Sequence, residues 1–113
     1  MLKIYHNTRC SKSRQTLDLI EQAGQEVQII EYLKEAPSAA DLQDVLRKLN
    51  MKPEDLVRKG EKLYKEKFAG KPHTDAEWLE ILAANPGLIE RPIVVKGDKA
   101  VIGRPPENVL KLL

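Results

Sequence analysis

The apolar positions change period along the chain, and each change marks an element. Leu2-Lys3-Ile4-Tyr5 alternates as a strand does, and Thr16, Leu17, Ile20, Ala23 and Gly24 then recur at helical spacing. The helix therefore runs to about Ala23, with Gly24 placed to cap its end. Val27-Gln28-Ile29-Ile30-Glu31-Tyr32 is rich in β-branched residues and reads as a second, largely buried strand. Strand, helix and strand at this separation form a βαβ unit, a parallel pair with a right-handed crossover.

A mostly helical stretch follows, an insertion at about 38–85. Ser38 with Asp41 forms an N-cap and its reciprocal acid, and Leu42, Val45, Leu46 and Leu49 repeat at i, i+3, i+4 and i+7. Pro53 opens a short helix carrying Leu56, Val57 and Arg58, which Gly60 stops. Leu63, Tyr64 and Phe68 anchor a charged segment, and His73 reads as part of a solvated loop. Thr74-Asp75-Ala76-Glu77 is a capping box for a helix whose apolar stripe is Trp78, Leu79, Ile81 and Leu82. From Asn85 the pattern is that of a sheet. Pro92–Val95 and Ala100–Ile102 flank Lys96-Gly97-Asp98-Lys99, an antiparallel hairpin signal, and Pro92 stands acceptably at a strand's first residue. The Arg91–Pro92 step leaves both peptide isomers open. A last helix starts near Pro105-Pro106-Glu107 and faces Val109, Leu110 and Leu113 inward. The order β-α-β, helical insertion, β-β-α is that of an α/β, thioredoxin-like fold with a four-stranded mixed sheet, a single domain over 1–113.

Composition narrows the function classes. With 42% hydrophobic and 32% charged residues, the chain has the balance of a soluble protein, and no apolar run approaches the ~18 residues of a membrane span. No basic, apolar and cleavable leader precedes the first strand, so a cytoplasmic location is expected. A net charge of +2, one Trp and one Phe give no basic, aromatic stripe, so direct nucleic-acid binding is not expected. One cysteine cannot close an internal disulfide, which agrees with a reducing compartment. Any redox cycle must then borrow a second thiol. One cysteine and two histidines show no metal-ligand spacing.

That cysteine is where the chemistry concentrates. Cys10 lies in His6-Asn7-Thr8-Arg9-Cys10-Ser11-Lys12-Ser13-Arg14, in the strand-to-helix turn. The first helical N–H groups, about Ser11 to Ser13, lack intrahelical partners and point toward the sulfur. Those donors, with Arg9, Lys12 and Arg14 and with His6 as a candidate fourth cation, favour a thiolate and bind oxyanions. A cysteine picked at random is a small buried hydrophobe, but one flanked by arginine, lysine and serines is placed as a nucleophile. His6 has an equally good reading as a structural hydrogen-bonder at a strand end.

The turn, with Thr16-Leu17, resembles the His-Asn-Pro-x-Cys-x-x-Ser-Arg-x-Thr-Leu signature of the glutaredoxin-dependent arsenate reductase family. Ile89-Glu90-Arg91-Pro92-Ile93-Val94-Val95 and Gly103-Arg104-Pro105 are similar to its second and third motifs, and Leu56-Val57-Arg58-Lys59 takes the place of its mid-chain arginine. The likeness covers essentially the whole chain. It implies that Cys10 attacks arsenate, that Arg91 and Arg104 hold its oxygens with Ser11 and Lys12 in the cradle, and that Arg58 stabilises charge in the thiol steps. His6 and Ser13 would tune Cys10, and Arg14 would position the turn or the glutathione. Glutathione is the implied co-substrate and glutaredoxin the implied protein partner, with no bound cofactor or metal and a monomeric state. Thr8 and Ser11 replace the proline and glycine of the strongest family members, changes expected to loosen the cradle. The chain also ends without the C-terminal extension of longer members. Two rivals share the fold. One is a regulator that binds RNA polymerase and uses a Cys-x-x-Cys switch, which Ser13 denies to this chain. The other is a glutathione-linked thiol oxidoreductase with another substrate. Phosphatase-like reductases with Cys-x5-Arg are excluded by Thr16.

Overall fold

A computed structural model describes residues 2–113. The chain divides into two units, Met1–Glu35 with Arg91–Leu113, and Ala36–Glu90.

The first unit holds the sheet. Its strands are β1 (Leu2–Tyr5), β2 (Val27–Ile30), β3 (Ile93–Lys96) and β4 (Lys99–Ile102), in the order β2-β1-β3-β4. β1 pairs parallel with β2 and antiparallel with β3, and β3 pairs antiparallel with β4. Leu2 and Ile4 on β1, Val94 on β3 and Ile20 on α1 (Ser11–Gln22) share a buried core with Val109 and Leu112. α1 ends as its glycine predicts: Gly24 has φ +72°, its N–H donates to Glu21 O, and the Gln25 N–H donates to Ile20 O. This paired closure satisfies carbonyls that would otherwise be left open. The β3–β4 hairpin turns on Gly97-Asp98, with a positive φ only at Gly97, the pattern of a Gly-first two-residue loop.

Three expectations for this unit fail. β2 stops at Ile30 and is not largely buried, because it is the outer strand of the sheet, with Gln28 exposed and Ile29 48% exposed. The C-terminal element is a 3₁₀ helix, Pro106–Lys111. Side chains three apart eclipse in a 3₁₀ helix, so Pro106, Val109 and Leu112 face inward, whereas Leu110 is 52% exposed.

The second unit is helical, with α2 (Ala39–Leu49), α3 (Lys62–Lys67) and α4 (Asp75–Ala84). Both expected capping boxes are present: Ser38 with Asp41, and Thr74 with Glu77. Leu42, Val45 and Leu46 on α2 and Trp78 and Leu82 on α4 are buried. The helix expected from Pro53 is only the 3₁₀ turn Pro53–Leu56, and Val57 instead forms a bridge with Ile89. His73 is not a solvated loop residue. Its ring meets the Trp78 ring edge-on with centroids 4.7 Å apart. No helix among the described residues is long and apolar enough to cross a membrane. A four-stranded mixed sheet, with a βαβ unit and a β-hairpin followed by a 3₁₀ helix, is the thioredoxin-like arrangement expected.

Candidate active site

Sheet register brings the candidate residues of the first unit together. Tyr5 at the end of β1 pairs with Ile93, and Ile93 pairs with Ile102. The chain leaving β1, the chain entering β3 and the chain leaving β4 therefore share one end of the sheet, where α/β folds place their ligands. Cys10, Arg91 and Arg104 stand on those three segments.

Cys10 is the N-cap of α1, in extended backbone (φ −94°, ψ 121°) and partly exposed. The turn before it is closely tied. Cys10 N–H donates to Asn7 O (3.0 Å), Arg9 N–H to Asn7 Oδ1 (3.0 Å) and Asn7 N–H to Ser13 Oγ (3.0 Å). From α1, Arg14 donates through Nη1 to Thr8 O (2.9 Å). Thr8 thus sits in a braced turn, and Arg14 holds the turn itself.

Burial pushes the Cys10 thiol pKa up, but the Ser13 amide, the Arg91 guanidinium and the Lys12 amide outweigh it, and the net displacement is downward. Arg104 adds a bond from Nη2 to Sγ at 3.6 Å. The cations at the sulfur are therefore Arg91 and Arg104 rather than the turn's own Arg14, which is engaged with Thr8. The side chains of Ser11 and Lys12 are exposed at the start of α1. A thiolate facing amides and two guanidinium groups can hold an anion and attack it.

His6 is only 5% exposed, and its Nδ1 lies 2.6 Å from Ser13 Oγ. Ser13 Oγ accepts from Asn7, so it can give its own proton to Nδ1. Burial lowers the His6 pKa from its ordinary 6.5, Glu31 opposes the change, and Arg14 adds to it. The imidazole is accordingly neutral near pH 7, which corrects the reading of His6 as a further cation. Ser13 reaches the thiol through its amide, since its hydroxyl is engaged with Asn7 and His6.

Arg58 belongs to the other unit. There it pairs with Glu61 (3.2 Å) and Glu90 (3.5 Å), and its N–H donates to Leu88 O (2.7 Å).

Sequence reading missed how Arg104 is held. Its Nε donates to Arg91 O (2.6 Å), and Asn108 Nδ2 donates to Arg104 O (3.1 Å) and Ile102 O (3.2 Å). Gly103 N–H donates to Pro92 O (2.9 Å), and a Cβ on Gly103 would lie 2.5 Å from Thr16 Oγ1 and 2.8 Å from Pro92 Cγ. Only glycine lets the loop approach α1 this closely. Asn108 bonds to backbone carbonyls, which leave no signature in residue type. The Arg91–Pro92 and Arg104–Pro105 bonds are both cis.

Residues 5–112 match the model of the ArsC family. The chain belongs to the ArsC family. Across 99% of its length it is 46% identical to the uncharacterized protein YfgD of Escherichia coli K12, covering 96% of that protein. It is 40% identical, over 99% of its length, to an arsenate reductase of Neisseria meningitidis, covering 97% of that chain. Among solved structures it superposes on an arsenate reductase from Vibrio cholerae with a TM-score of 0.95 at 43% identity, covering 99% of this chain and 97% of that one. The ArsC relationship spans the elements that carry Cys10, Arg91 and Arg104.

Proposed function

We propose that the protein reduces arsenate to arsenite through a covalent adduct on Cys10, with glutathione and a glutaredoxin supplying the electrons. The observation that carries this reading is the N-cap thiol, held toward its thiolate by the Ser13 and Lys12 amides and by Arg91, with Arg104 3.6 Å away. A tetrahedral oxyanion needs several fixed donors around it, and the arginine fork suits paired oxygens.

The Cys10 thiolate attacks As(V), and one arsenate oxygen departs as water after protonation. Arg91 and Arg104 hold the remaining oxygens. A glutathione thiolate then attacks Cys10 Sγ, and the S–As electron pair passes to arsenic, releasing As(III) as arsenite and leaving a Cys10–glutathione disulfide. A glutaredoxin thiolate attacks the glutathione sulfur and frees Cys10. With a single cysteine in the chain, both thiols come from outside. Arg58 enters by resemblance, stabilising charge during these thiol steps, and a cytoplasmic monomer is the matching setting.

The test is arsenate-dependent NADPH consumption in the presence of glutathione, glutaredoxin and glutathione reductase. Cys10→Ser is expected to abolish turnover. Arg91→Ala and Arg104→Ala are each expected to lower it about 10²-fold, the scale of removing one oxyanion donor. Normal turnover by Cys10→Ser would eliminate the mechanism.

A further inference from the structure

A cleft of about 250 Å³ lies against the turn that precedes Cys10, lined by residues 6–9 and, from the segment after β2, by Glu31, Leu33 and Lys34. That volume is below the ~300–1,000 Å³ that takes a whole drug-sized ligand, and it suits an amino-acid-sized end of one. Its charges have both signs: Arg9 and Lys34 are cations, and Glu31 is an anion. Lys34 and Glu31 pair at 3.6 Å with side chains 78% and 41% exposed, a weak contact that an incoming ligand can exchange at little cost. His6 adds a hydrogen-bonding position. Its Nδ1 is taken by Ser13, so the ring's other nitrogen, Nε2, is the one a ligand would meet. Leu33, 49% exposed, offers an apolar contact beside them.

A zwitterionic α-amino-acid head fits this set, its carboxylate toward Arg9 or Lys34 and its ammonium toward Glu31. Arg9 is joined to Cys10, so their Cα atoms are about 3.8 Å apart. A ligand anchored in the cleft therefore has the sulfur within reach of a short chain. γ-Glutamyl linkage leaves the α-amino and α-carboxylate groups of the glutamate free while attaching a thiol-bearing residue to its side chain. We propose that this cleft holds the γ-glutamyl end of the peptide thiol that attacks Cys10. The inference rests on the reading that an external peptide thiol serves this site, and it assigns the residues that select that thiol.

The test omits arsenate, so that its failure is separable from failure of arsenate reduction. Cys10 is converted to its mixed disulfide with thionitrobenzoate. An incoming thiolate then bonds to Cys10 Sγ, and the S–S electron pair leaves on coloured thionitrobenzoate. Rates are compared, at matched thiolate concentration, for glutathione and for cysteinylglycine, which lacks the γ-glutamyl group. The expected result is a saturable reaction with glutathione, about five- to tenfold faster than with cysteinylglycine. The ratio of the two rates is expected to fall toward one in Lys34→Glu and in Glu31→Lys. Because the ratio is taken on one protein sample, it is insensitive to a partly folded variant. No preference in the wild type, or the same ratio in all three proteins, overturns the proposal. A preserved preference without arsenate turnover would instead overturn only the arsenate reading.

Discussion

His6 shows how one buried residue couples the site to pH. Its folded pKa lies below 6.5 because burial disfavours the imidazolium. Below the ordinary pKa the unfolded chain therefore binds the proton more readily than the folded one. The stabilisation from neutral His6 is fully present above about pH 6.5 and is lost as pH falls through the folded pKa. Urea unfolding between pH 7.5 and 5 should show that decline, and His6→Asn should flatten it even if its overall stability is lower. Cys10 shifts in the same direction for a different reason. Burial alone would raise its pKa, so the lowering depends on the Ser13 amide, Arg91 and the Lys12 amide. In Arg91→Ala the midpoint of iodoacetamide alkylation should move to higher pH, and the rate at pH 7 should fall. An unmoved midpoint would leave the amides and Arg104 as the cause. Cys10 was legible as the candidate nucleophile because its signal is local, a cysteine among cationic residues and serines at a strand-to-helix turn. The neutrality of His6 was not legible, because it depends on how deeply the fold buries the ring.

At the scale of elements, the loop after β4 is fitted closely to α1 at Gly103. A Cβ on Gly103 would stand 2.5 Å from Thr16 Oγ1 and 3.1 Å from Thr16 Cγ2, well inside normal contact. Gly103→Ala is therefore expected to cost about 1–3 kcal/mol by overpacking and to draw Arg104 away from Cys10. Removing the obstructing atoms with Thr16→Ala should recover part of that loss, since residues in contact are not additive. Recovery stays partial because Pro92 Cγ is also close, at 2.8 Å. Thermal unfolding of the two single variants and the double variant checks this cycle. The neighbouring 3₁₀ helix separates adjacent side chains clearly. Val109 is fully buried while Leu110 is 52% exposed, so Leu110→Ala should stay within about ±0.5 kcal/mol of wild type and Val109→Ala should cost more. Caps and turns were legible in the sequence, since Ser38 with Asp41, Thr74 with Glu77, Gly24 and Gly97 act through bonds a few residues long. The inward residues of the last element and the exposure of β2 were not. The first depends on a helix type that a Pro-Pro start does not reveal, and the second on strand order, which a βαβ pattern leaves open.

At the scale of the whole molecule, the strand order β2-β1-β3-β4 completes what the turn begins. It sets the Arg91 and Arg104 segments beside Cys10 although they lie 81 and 94 residues later in the chain. Family motifs pointed to these arginines, but their contacts with the sulfur follow from register, Tyr5 with Ile93 and Ile93 with Ile102. Nothing comparable supplies a second thiol, since Cys10 is the chain's one cysteine. A protein that forms an adduct on Cys10 and has no resolving cysteine must stop wherever its external thiol supply stops. Incubation with arsenate and glutathione, without glutaredoxin, should therefore accumulate protein heavier by one glutathione, with arsenite released in proportion to protein rather than continuously. Addition of glutaredoxin should clear that species and restore steady turnover. Intact mass spectrometry with parallel arsenite measurement follows both. Continuous arsenite release without glutaredoxin, and without the heavier species, would show that glutathione alone regenerates Cys10 and would remove glutaredoxin from the cycle.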